Sequence, residues 1–365
     1  MRWERAILVA EEFQIDAEGL ALVIGLVEER VRFDIEVTRR ALSDEQEKSD
    51  TLNTLPRGAF TGLRKHFNNA TVSNLSGELK QKELWLSTWR ESVIKANPQI
   101  KAQRNKTLAS LISGYKSDPY KRMKLYLILQ EAVLIRPYSA IEGMNFSISE
   151  VNENVGADHI AVVCGYPQGA GQKILRETER FIKETGNNRG RLVKYALGGA
   201  LFTAITVGFA SPHIGAAVGG AVLGLHGVAA TTAGLALLGG GAVAAHGFGI
   251  AGGIAVVVGG GALLGAAGGV GVSKVVQLLE SNPEIVAESM AKLVNYTNFL
   301  SNSIQRHDER AASVRDRIVS DFLDFKHNFE REVIRGEHRR SPGKELQAVQ
   351  VIGHAYEKMV QGIRA

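Results

Sequence analysis

Residues 195–273 read YALGGALFTAITVGFASPHIGAAVGGAVLGLHGVAATTAGLALLGGGAVAAHGFGIAGGIAVVVGGGALLGAAGGVGVS. This stretch holds no Asp, Glu, Lys or Arg, and 42 of its 79 residues are glycine or alanine. All 81 charged residues of the 365-residue chain therefore fall in the other 286. A uniform single-domain enzyme is excluded by that division, and the length allows two or three domains.

A membrane-crossing helix needs roughly 20 mostly apolar residues. Breaks at Ser211-Pro212-His213, Gly239–Gly241 and Gly259–Gly261 divide the region into 195–211, 214–238, 242–258 and 262–279, enough for up to four passes. An even number leaves both polar halves on one side. Arg189, Arg191 and Lys194 before it and Lys274 after it mark that side as cytoplasmic. Small residues permit close helix approach, with GxxxG spacings at Gly215/Gly219, Gly220/Gly224, Gly249/Gly253, Gly261/Gly265 and Gly265/Gly269. Such segments are weakly hydrophobic alone and pack well together, which predicts hairpins sheltered in protein before assembly in lipid. The competing reading is a set of buried core helices in a soluble bundle. His213, His226 and His246 are the titratable groups inside the region, with His213 read as a loop residue.

The flanks are helical by pattern. Leu20, Val23, Ile24, Val27, Val31 and Ile35 recur at spacings of three and four across 17–42. Ser43–Asp50 reads as a solvated turn or helix end, and Pro56-Arg57-Gly58 as a break. Further helices are expected over 78–95, 100–113 and 119–135, the last with Asp118 as cap and Pro119 in its first position. Ile160–Cys164 allows one short strand, and Lys173–Glu184 a charged helix. Ser281-Asn282-Pro283-Glu284 starts a helix whose stripe runs from Val286 to Phe329 before Gly336 stops it. One continuous helix of that length is a rod of about 75–80 Å that requires a partner along its stripe. Residues 341–365 form one more short helix. The expected fold class is thus all-α, with a basic-block head (1–140), a connector (141–194), the Gly/Ala-rich region (195–279), the amphipathic helix (280–336) and a tail (337–365).

Chemistry-bearing motifs are sparse. The match of Gly247–Gly252 to GxGxxG is a product of glycine density, and no acid follows about 20 residues on. Gly165–Lys173 outlines a phosphate loop but fails the Walker pattern, because Ala170 stands where the second glycine is due. Neither HExxH nor CxxC occurs, and the single Cys164 forms no internal disulfide. No catalytic residue, metal or cofactor is expected. Glu11 and Glu12 interrupt the apolar run Ala6–Ala10, so a secretory leader is not expected either.

Charge is uneven. Residues 1–60 carry 8 basic against 13 acidic side chains, and 61–140 carry 14 against 5. Within the basic block stand Lys95, Lys101, Arg104, Lys106, Lys116, Lys121, Arg122 and Lys124, interleaved with Tyr115, Tyr120 and Tyr126. One reading is contact with a nucleotide, oligonucleotide or anionic lipid through phosphates, with tyrosines stacking on bases. The other is a helix face that answers the acidic 1–60 segment. The candidate ligand residues are Lys101, Arg104, Lys106, Lys116, Tyr120, Lys121, Arg122 and Lys124.

A polar helical head, a Gly/Ala-rich hairpin region and an amphipathic tail helix together resemble the α-helical pore-formers, including apolipoprotein-L-like proteins. The layout is also similar to bacterial anti-phage abortive-infection membrane effectors of the Hailong type. The resemblance implies an oligomeric channel that moves from cytoplasm to inner membrane and stays latent until triggered. It further implies gating by a nucleotide or oligonucleotide made by a partner nucleotidyltransferase. A non-lytic helical scaffold or binding protein, and a nucleotide-dependent enzyme using 165–173, are the alternatives.

Overall fold

The computed structural model describes residues 17–53, 59–96, 100, 103, 105–135, 137–138, 146–185, 283–304, 309–335 and 342–364. Nine helices occupy them: α1 (Ala17–Asn53), α2 (Ala59–Ala96), α3 (Leu108–Ser117), α4 (Pro119–Leu134), α5 (Glu153–Val163), α6 (Ala170–Glu184), α7 (Pro283–Ile304), α8 (Glu309–Arg335) and α9 (Pro342–Arg364). The described residues contain no strand, which agrees with the all-α expectation.

Helix α1 is the central element of the head and packs against α2, α3, α4 and α5. The expected stripe is buried, and Leu22 and Leu26, which lie off it, are also fully enclosed. Neighbours on more than one side explain this, since each fully buried Leu or Val contributes about 1.5–3 kcal/mol relative to exposure. Trp85 and Trp89 of α2 stack at 5.5 Å, and Trp85 meets Tyr138 edge-on at 5.3 Å.

A row of polar side chains runs through this apolar setting. Arg30, Asp34 and Thr38 lie one turn apart on α1 and are at most 4% exposed. The Arg30 guanidinium donates through Nε and Nη2 to the two Glu150 carboxylate oxygens, both at 2.7 Å. Its Nη1 donates to the carbonyls of Val133 (2.7 Å), Ile135 (3.2 Å) and Ala132 (3.4 Å). These carbonyls end α4, where a helix lacks intrahelical donors, so one cation satisfies a helix terminus and a buried carboxylate together. Asp34 accepts from the Tyr138 hydroxyl (2.7 Å) and the Val151 amide (2.8 Å), and pairs with Lys82 of α2 at 2.7 Å. Gly156 admits the close approach, because a Cβ there would collide with Glu150 Oε1.

Three expectations are corrected. Residues 160–164 belong to the end of α5 and not to a strand. The Asn152 side chain accepts from the amides of Asn154 and Val155 to start this helix. Gly156, Ala157, Ile160, Ala161 and Cys164 then give a buried face at helical spacing, which outweighs the β-branched run. Gly165, at φ 81°, closes it in a Schellman turn, with Gly165 N donating to Val162 O and Tyr166 N to Ala161 O.

The single 75–80 Å rod is likewise replaced. Helices α7 and α8 pack against each other, and α9 packs against both, so the stripes of these helices face one another.

Among the described residues, no helix is long and apolar enough to cross a membrane. On that finding the expected transmembrane, channel-like character and multi-pass placement in the inner membrane are corrected for the described residues. The longest helices, α1 and α2, carry clusters of charge, as in Glu28, Glu29, Arg30, Arg32, Asp34 and Glu36 of α1 and Glu78, Lys80, Lys82 and Glu83 of α2. The Gly/Ala-rich region 195–279, with Gly215, Gly219, Gly220, Gly224, Gly249, Gly253, Gly261, Gly265, Gly269 and the three histidines, lies outside the described residues.

Replacing Arg30 by Met is expected to destabilise the protein by about 3–5 kcal/mol, because Glu150 and the α4 carbonyls lose their partner while still buried. Urea unfolding monitored by tryptophan fluorescence measures the change. Arg30→Lys is expected to recover only part of it, since an ammonium lacks the fork that spans carboxylate and carbonyls.

Candidate functional site

The described candidate cations of the basic block gather at α3 and the start of α4, beside the α5–α6 turn. Thr107 caps α3 by accepting from Ser110 N at 3.1 Å. Asp118 Oδ1 accepts from Lys121 N at 3.3 Å to start α4, as its sequence position implies. The two helices meet at this corner, which gathers the cations.

The candidates divide into groups. Lys106 pairs with Glu18 Oε1 at 2.9 Å, and Lys121 pairs with the other oxygen of the same carboxylate. Hydrogen bonds from Lys121 and then Lys106 hold the Glu18 carboxyl below its usual range. Lys121 also lies 5.2 Å from the Tyr115 ring centre. This part of the block answers the acidic segment, as the second sequence reading held. Lys116 and Arg122 are exposed and have no acidic partner among the described residues. Arg122 donates through Nε and Nη2 to the Lys116 carbonyl, at 3.2 and 2.9 Å, which fixes its guanidinium over the end of α3. The Lys116 ammonium rests on the Gly165 turn, where a Cβ would collide with it. Lys124 is half-buried on α4, Tyr120 lies on α4, and Lys101 and Arg104 fall outside the described residues.

Two of the interleaved tyrosines, Tyr115 and Tyr126, are used in internal packing. Tyr115 is 2% exposed in the head core. Tyr126 stacks on Phe299 of α7 at 4.0 Å and meets Tyr166 edge-on at 5.8 Å. The Tyr126–Phe299 stack joins α4 to α7.

The 165–173 loop resembles a phosphate loop in outline because its amides do bind an anion, and the anion is internal. Asp158 of α5 accepts from Gly169 N and Gln172 N, both at 3.1 Å, and from Gln172 Nε2 at 2.7 Å. A carboxylate thus occupies the N-terminus of α6, where a phosphate would sit. Gly169 takes φ 87° at the cap position, and a Cβ on Gly171 would collide with the Ala157 carbonyl, so the glycines serve the turn and close helix packing. Cys164 beside it is 1% exposed, and burial pushes its thiol up to about 12 despite the nearby Lys116. That environment disfavours the reactive thiolate.

An open cleft of about 430 Å³ lies between α6 and α9, lined by Glu184, Thr185, Gln350, Gly353, His354 and Glu357. Glu184 pairs there with His354 at 2.8 Å and Lys358 at 2.9 Å, and the hydrogen bond from Lys358 leads in holding its carboxyl below the usual range. Among the described residues, no group of His, Cys, Asp and Glu is placed to hold a metal ion.

No family model, curated protein or solved structure matches the chain.

Sequence reasoning missed Asp158 and the Arg30 row. Arg30, Asp34 and Thr38 carried a legible signal, since they interrupt an apolar stripe at its own period. Asp158 carried none, because its partners are amides beyond a turn.

Asp158→Ala is expected to cost about 1–2 kcal/mol, as for loss of a helix cap, with faster hydrogen exchange at the Gly169 and Gln172 amides. Asp158→Asn, which keeps an acceptor oxygen, is expected to lose less.

Proposed function

We propose that the protein is a helical scaffold and binding module whose exposed α3–α4 corner receives a phosphate-bearing partner, a nucleotide or oligonucleotide. The observation that supports this reading is the separation within the basic block: Glu18 takes up Lys106 and Lys121, while Lys116 and Arg122 are exposed and pair with no acid among the described residues. The Arg122 guanidinium is held by the Lys116 carbonyl, so little side-chain freedom is lost when an anion arrives. A cationic corner of this kind recognises charge and presents no nucleophile or base of its own.

Binding is tested by fluorescence anisotropy with a labelled single-stranded oligonucleotide across a salt series. The double variant Lys116→Ala/Arg122→Ala is expected to bind more weakly, with the slope of log K against log salt reduced by about 1.4, two phosphate contacts for a single strand. An unchanged slope would remove these residues from the interface. The full chain is expected to leave dye-loaded liposomes intact, and leakage would overturn the scaffold reading.

A further inference from the structure

Helix α7 joins the head through a second buried charge cluster, between α4 and α7. Lys292 of α7 pairs with Glu131 of α4 at 2.6 Å and with Glu288, one turn earlier on α7, at 3.3 Å. All three side chains are at most 1% exposed. Gln130 Nε2 donates to the Lys292 carbonyl at 3.2 Å, and Asn295 Nδ2 donates to Thr178 Oγ1 of α6 at 3.1 Å. Among the described residues, no group donates a well-aligned hydrogen bond to either carboxylate oxygen of Glu288, and the Lys292 ammonium at 3.3 Å is its nearest cation.

One ammonium therefore stands between two carboxylates with no water-exposed edge. Lys292 makes its short contact with Glu131, and Glu288 is left with the longer contact to the same ammonium. An ionised carboxylate in that position is poorly compensated, whereas a protonated one is neutral. Lys292 on its own helix and Glu131 on α4 are the charged groups that act on Glu288: burial, first, and the like charge of Glu131 outweigh the opposing pull of Lys292 and push its carboxyl up to about 7.

We propose that the joint between α4 and α7 is proton-linked: it is tightest with a proton on Glu288 and loosens as that carboxyl ionises. The cluster of two acids on one buried lysine is the reason. This goes beyond the binding reading, since the joint lies apart from Lys116 and Arg122 and either can fail alone. The sign follows from linkage. The folded protein holds a proton that the released carboxyl gives up near its ordinary value, so the joint is most stable below that value. Its stability declines as pH rises through about 7.

Native-state hydrogen exchange of the 283–304 amides, corrected for intrinsic exchange chemistry, tests this on the full chain. Between about pH 5.5 and about pH 8 the opening equilibrium of the wild type is expected to rise on the order of tenfold. Glu288→Gln mimics the protonated acid and is expected to flatten that response and protect the helix at the higher pH. Ordinary histidine titration falls in the same window, so the comparison with E288Q carries the test. Glu131→Gln leaves one acid for one ammonium and is expected to move the midpoint to lower pH, a shift that a purely structural role would not produce. An E288Q response equal to that of the wild type, or an E131Q midpoint that stays in place, would overturn the proposal.

Discussion

A guanidinium placed where water cannot reach it must be surrounded by acceptors, and the head of this protein is arranged to supply them. Arg30 sits in the middle of the helix that every other head element touches, and its five acceptors come from the end of α4 and from Glu150. Meeting that requirement fixes where α4 stops, where the chain returns at 150, and how closely α5 lies against α1 at Gly156. The same row continues through Asp34 to Lys82, which brings α2 to its register. Apolar burial supplies most of the driving force, but it is non-directional; the polar row selects one arrangement among many that bury similar area.

The second cluster, on Lys292, does for the C-terminal helices what Arg30 does for the head, with less complete compensation. Around Arg30 the acceptors are neutral carbonyls and one carboxylate. Around Lys292 two carboxylates compete for one ammonium. A satisfied cluster is rigid, while an over-acidic one has a second state within reach. The aromatic group of Tyr126, Tyr166, Tyr296 and Phe299 packs beside this joint and adds area without adding direction.

Much of the helical layout was legible from local signals. Pro119 after Asp118 and Pro283 after Asn282 stand at the first positions of α4 and α7, and α8 ends at Arg335, just before Gly336. The stripe on α1 was legible for the same reason, since period and burial are coupled within one helix. Residues 160–164 misled because a five-residue run with three β-branched side chains has no period of its own, and the Asn152 cap and the Gly165 turn decide it. The division of α7 from α8 was hidden because a stripe looks continuous whether a chain runs straight or folds back on itself. In the basic block, composition showed where the cations gather but not which of them Glu18 would neutralise, because that carboxylate lies 88 residues from Lys106 and 103 from Lys121.

The distances along the chain between partners also order events at the ribosome. Arg30 and Glu150 are 120 residues apart, and Glu131 and Lys292 are 161 apart. At about 5–20 residues per second, roughly 6–24 s of synthesis separates Arg30 from its carboxylate. Over that interval Arg30 in the central helix is without its carboxylate, and its carbonyl acceptors at 132–135 arrive only shortly before it. A nascent chain that must wait this long with its apolar stripe uncovered is a natural client for chaperones that shield hydrophobic segments until translation has moved on.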